Sequence, residues 1–123
     1  MRFALLCLPF FMFWHTARAQ PSIIVVTGAP GTEEYGQVFE DWNGKWKDAA
    51  EQSDSSFQQV ESPGKGNALE ALEESLAKEE RKGPDPLWLV FIGHGTFDGK
   101  RAKFNLHGPD LQASELAVWL KGF

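Results

Sequence analysis

Leu87-Trp88-Leu89-Val90-Phe91-Ile92-Gly93-His94-Gly95-Thr96-Phe97-Asp98-Gly99 is the stretch on which the fold of this chain turns. Its first six residues are apolar without alternation, the pattern of a strand covered on both faces, as in a parallel sheet. It is the strongest strand signal in the chain and is expected at the centre of the sheet. Glycine ends the run, and a histidine flanked by glycines follows at once.

Working outward, Ser22–Thr27 is a second β-branched run, bounded by Pro21 and Gly28. Gly28-Ala29-Pro30-Gly31 breaks it. Thr32 then offers a cap hydroxyl ahead of Glu33 and Glu34, acids suited to the positive end of a helix. Tyr35, Val38, Phe39, Trp42, Trp46, Ala49 and Ala50 recur at helical spacing and predict an aromatic stripe against a sheet. Trp42 and Trp46 are expected in the core, not as a sugar platform. Phe57–Glu61 is a weaker strand near an edge, and Ser62–Gly66 a loop. Asn67 with Glu70 resembles a capping pair for a helix lined by Leu69, Leu72 and Leu76, which ends at Arg81–Pro84. Downstream, Ala102, Phe104 and Leu106 alternate with Arg101, Lys103 and Asn105, predicting a hairpin arm. His107–Asp110 is a turn, and Leu116, Trp119 and Leu120 share one face of a last helix. Gln112 is a mediocre cap there, with Ser114 as the alternative. Strand, helix, strand, helix, strand, hairpin, helix predicts an α/β fold: a three-layer parallel sheet with flanking helices.

The N-terminus is of another kind. Arg2 precedes twelve apolar residues, Phe3–Trp14, and Ala17-Arg18-Ala19 follows. Basic start, short apolar core and A-x-A compose a secretory signal peptide, too short to span a membrane as a helix. Residues 1–19 are therefore expected to be removed after Ala19. Export would deliver residues 20–123 to the periplasm or the extracellular space. The single cysteine, Cys7, leaves with the leader, and so do Arg2 and Arg18. Ten basic residues then face seventeen acidic ones, a formal charge of −7, which argues against nucleic acid and anionic lipid as partners. No later apolar run is long enough for a membrane span, and 104 residues suit one small domain.

In parallel α/β sheets, ligands bind beyond the carboxyl ends of the strands. Two loops leave those ends, Gly28–Thr32 and Gly93–Gly99. His94 can move a proton near neutral pH, and its neighbouring glycines leave the imidazole open. The Gly95 N–H, with no side chain in the way, can stabilise an oxyanion. The competing reading of His94 is a loop histidine capping a carbonyl. The Gly28–Thr32 loop lacks the lysine and Ser/Thr of a phosphate-binding loop and is read as a strand-to-helix turn. Asp98 beside Gly99 is turn chemistry. His107 is a solvated turn residue that forms no metal set with His94. No cofactor is expected.

The segment Leu87–Gly99, with the element order around it, resembles the strand-His-Gly region of the caspase-like cysteine peptidases, the group containing caspases, legumain and the gingipains. Gly93–Leu116 is especially similar to exported bacterial members of the legumain-like branch. The resemblance covers roughly residues 22–121. It implies a caspase-like domain in which His94 is the catalytic histidine and Gly95 lends its N–H to the oxyanion. In that family a cysteine at the end of the next parallel strand attacks the scissile carbonyl. This sequence runs only 29 residues past His94 and has no cysteine in residues 20–123. The expectation is a partial domain, truncated after the third strand, hairpin and following helix: the N-terminal half of a peptidase, from a gene fragment, a frameshifted product or a decayed copy. It would be inactive alone and would act on a peptide or protein substrate only if completed. No basic residue stands between Gly28 and Gly44, so the substrate-binding residues and preference stay unassigned.

Two alternatives remain open. A truncated serine α/β-hydrolase also uses a His-Gly segment, but it needs a downstream G-x-S-x-G that is not present. An exported non-enzymatic interaction module could use the same scaffold. A half-sheet leaves Leu87–Ile92 with an unpaired edge, which invites self-association or a strand from another chain.

Overall fold

A computed structural model of the chain describes residues 20–60 and 67–123. The expected leader, its cleavage point and the Ser62–Gly66 loop lie outside the described residues. The elements follow the chain as β1 (Ser22–Thr27), α1 (Glu33–Ser53), β2 (Ser56–Val60), α2 (Ala68–Lys78), β3 (Leu87–Ile92), β4 (Gly95–Phe97), β5 (Ala102–Phe104), β6 (Leu111–Gln112) and α3 (Ala113–Trp119). The protein is mixed α/β, with a three-stranded parallel sheet flanked by helices on both faces.

Alternation along β1 builds the layers. Ile23 and Val25 point to one face, where they meet Phe39 and Ala50 of α1 together with Ile92. Ile24 and Val26 point to the other, where Leu72 and Leu76 of α2 join Val60, Leu106 and Leu111. Each buried Val, Leu, Ile or Phe among them contributes about 1.5–3 kcal/mol relative to exposure. The helices start where their caps are. Thr32 Oγ1 accepts the Tyr35 N–H at 3.4 Å, and Asn67 Oδ1 accepts those of Leu69 and Glu70 at 3.1 and 3.4 Å. Asp54 closes α1 in the left-handed conformation, its N–H turned back to the carbonyls of Ala50 and Glu51. At α3 the Gln112 N–H donates to Glu115 Oε2 at 2.9 Å, so Glu115 stabilises the entry to the helix that Gln112 begins.

Three expectations are corrected. The central strand is β1, not Leu87–Ile92: among the described residues the sheet order is β2-β1-β3, and β3 is an edge. An unbroken apolar run reports that both faces of a strand are covered and carries no information on its edges, which are backbone. Trp42 is 48% exposed and does not belong to the core. The buried line of α1 runs through Phe39, Asn43 and Ala50, leaving Tyr35 and Trp42 on its flank. The hairpin also gains a third strand, β6, which pairs antiparallel with β5 through Phe104↔Leu111. A two-residue strand is too short to show a period of its own.

Candidate functional site

β1 and β3 run parallel in register from Ser22↔Leu87 to Thr27↔Ile92, so the loops after them leave the same rim. The Gly28 N–H donates to the Ile92 carbonyl at 2.9 Å, extending the ladder one step beyond the strands. Both loops then meet Asn105, just past β5. Its carbonyl accepts the Ala29 N–H and its N–H donates to the His94 carbonyl, each at 2.9 Å. Its side-chain Oδ1 accepts the Thr96 hydroxyl at 3.1 Å. One residue thus ties the first loop to the His-Gly segment.

Glycine is required at two points of this junction. A Cβ on Gly28 would lie 2.5 Å from the Asn105 carbonyl oxygen. A Cβ on Gly93 would lie 2.7 Å from the tip of the Phe104 ring and 3.1 Å from the Gly28 Cα. The Phe104 ring fills the space both glycines leave and stacks edge-on against Phe91, with centroids 5.2 Å apart. Gly93 therefore serves the packing of the hairpin onto the sheet as much as the turn that presents His94.

The imidazole of His94 sits against the first two turns of α1, the helix that follows the Gly28 loop. Its ring meets Tyr35 edge-on, with centroids 4.5 Å apart, and Phe39 at a tilt, 5.4 Å away. The ring is partly exposed. Among the described residues no group hydrogen-bonds the imidazole, so it does not cap a carbonyl. Aromatic contacts fix the plane of the ring and leave both nitrogens available to a bound molecule.

Gly95 and Phe104 are paired across β4 and β5. The bond from the Asn105 N–H to the His94 carbonyl makes them a non-hydrogen-bonded pair, so the Gly95 N–H points away from β5. Because β4 is the outer strand of its sheet, that donor faces outward, two covalent steps from the histidine Cα. His94 and Gly95 thus share one end of the sheet with an imidazole and a backbone donor both unengaged.

The other candidates fall elsewhere. Asp98 closes the hairpin tip, accepting the N–H groups of Lys100 at 2.9 Å and Arg101 at 2.8 Å. Those two bonds hold its carboxyl below the usual carboxylate range. His107 is exposed in the turn before Asp110. It lines a concave surface with Ala29–Glu33 and the next turn of α1, a surface that His94 does not line. At the base of the rim Asn43 donates to the Thr27 hydroxyl at 2.7 Å, while its buried Oδ1 has no partner among the described residues. Sequence reading missed two residues. Asn105 looked like one more outward position in an alternating arm, and its role depends on backbone geometry that residue type does not encode. Tyr35 was assigned to the α1 stripe by period, which cannot reveal a contact with a histidine 59 positions away. Compared with protein-family models, curated proteins and solved structures, the chain matches none. No helix among the described residues is long and apolar enough to cross a membrane.

Proposed function

We propose that this chain carries the histidine half of a caspase-like cysteine peptidase site of the legumain-like branch, with His94 as the proton carrier and the Gly95 N–H as an oxyanion donor. The observation that supports it is the unengaged imidazole at the carboxyl end of a parallel strand, beside an outward-facing backbone N–H. In this reading the attacking thiol arrives on a further parallel strand laid against the open edge of β3. His94 takes the thiol proton as the sulfur adds to the scissile carbonyl, and returns it to the departing amine. The carbonyl oxygen, carrying negative charge in the tetrahedral intermediate, is met by the Gly95 N–H. Without that strand the histidine half turns over no substrate in this reading, and export to the periplasm or beyond removes residues 1–19.

Three measurements test the reading. The purified protein is assayed on peptides with Asn, Asp, Arg or Lys before the scissile bond. No turnover is expected, and robust cleavage blocked by a thiol reagent overturns the assignment. The DNA past codon 123 is then read in all three frames for an apolar strand followed by cysteine, the continuation this assignment requires. N-terminal sequencing of the exported form, expected to start at Gln20, tests the leader.

A further inference from the structure

The edge of β3 is built to receive a strand, and we propose that its occupant is the β3 edge of a second copy of this chain, paired antiparallel about a two-fold axis through Leu89. β1 occupies one side of β3, and among the described residues nothing pairs with the other. Natural edges are blunted by lysine, proline, bulges or a covering segment. Leu87–Ile92 has none of these within it, and Trp88 is 55% exposed.

The strand is self-complementary in one register. An antiparallel pair related by a two-fold axis normal to the sheet keeps each face on its own side, so the residue on the axis meets itself. With Leu89 on the axis, Trp88 faces the second copy's Val90 and Leu87 faces the second copy's Phe91. Every cross-strand pair is then apolar against apolar. Shifting the axis to Val90 would put Leu87 opposite Gly93 and leave it uncovered. Ile92 needs no cover, being 5% exposed already.

The surfaces beside the edge agree in charge. On the α2 side of β3 two grooves flank the strand. An apolar groove of about 270 Å³ lies at its carboxyl end, lined by Phe91, Phe104, Leu111 and Leu116, with Lys103 on its wall. The other lies at its amino end, lined by Leu87, Leu89, Leu120 and Phe123, with Glu80 and Asp85 on its wall. Arg81 also lines that second groove, donating to the carbonyls of Trp119 and Lys121 and lying over the Phe123 ring; with its charge counted, Glu80 and Asp85 still leave the groove at a net −1. Antiparallel pairing brings the lysine end of one copy to the acidic end of the other, twice over. A parallel pair would set like against like. The result is a continuous six-stranded sheet in an isologous dimer. This inference does not rest on the peptidase reading. The two occupants exclude one another, however, so the dimer is a form in which no nucleophile-bearing strand can reach the rim.

The experiment uses the protein purified after expression of the whole 123-residue chain. Its mass is followed by light scattering over a hundredfold range of concentration. A concentration-dependent dimer is expected, and a monomer throughout overturns the proposal. Trp88→Lys should remove the dimer, while Gln59→Lys on the opposite edge of the sheet should keep it. Leu89→Cys places a thiol on the axis and should give a disulfide-linked dimer on mild oxidation. Trp88→Cys, off the axis, should not. Cross-linking at position 88 but not 89 overturns the register. The Lys103→Glu variant should weaken association about tenfold or more, and adding Glu80→Lys and Asp85→Lys should restore it. A triple variant no better than the single one overturns the charge argument.

Discussion

The two outer strands of the sheet lean on the same central strand and are finished in opposite ways. β2 carries Ser56, Gln58 and Gln59, and its polar side chains are used: Gln58 donates to the Ser75 hydroxyl at 2.6 Å, and the Ser56 and Ser22 hydroxyls meet at 2.7 Å. β3 carries six apolar side chains, in which the Trp88 indole N–H is the one polar group. Both strands bury what faces β1, so the difference lies in what each presents outward. A polar edge stays in water at little cost, whereas an apolar edge with unpaired backbone groups is a site for another strand. The contrast teaches that, among the described residues, the sheet has a polar outer strand in β2 and an apolar outer strand in β3. The candidate site lies at the end of β3, the strand left open.

The largest effect should come from the core the two edges share. Leu72 is fully buried under the sheet. Leu72→Ala should cost about 2–5 kcal/mol, read from urea unfolding. Amide exchange should rise in β2 and β3 together, and a rise confined to one strand would show that the edges unfold separately.

A smaller and more local effect is expected at the end of β3. Gly28→Ala puts a methyl group against the Asn105 backbone oxygen, and backbone gives way less readily than a side chain. A loss of about 1–3 kcal/mol is expected. The β4–β5 hairpin and the His94 resonances should shift in the NMR spectrum, with β2 unaffected. Perturbation of β2 as well would mean that the rim junction is not independent of the far edge.

The smallest effect concerns the hairpin tip that hangs from β3. Asp98 has its carboxyl depressed below the ordinary value by the N–H groups of Arg101 and Lys100. A depressed folded-state value means a contribution present above the unfolded carboxylate pKa, and lost as pH falls through the folded value. Amide exchange at Lys100 and Arg101, corrected for its intrinsic pH dependence, should therefore lose protection below about pH 4. The amides of β2, a strand paired with β1 from Ser56 to Val60, should keep theirs. Asp98→Asn should remove the pH dependence at the tip with little change in global stability.

Much of this was legible from residues alone. The caps Thr32 and Asn67, the β1 strand between Pro21 and Gly28 and the hairpin after His94 follow from local chemistry and period. The sequence by itself also set His94 immediately after a strand and Gly95 beside it, because those positions depend on covalent order. The position of β3 at an edge, the half-exposed Trp42, the Tyr35–His94 contact and the Asn105 junction were decided only by the tertiary structure. Hydropathy records whether a face meets water, and period records which residues share a face. Neither records which strand lies beside which, or which backbone group answers another across dozens of residues, since those depend on how the chain closes on itself.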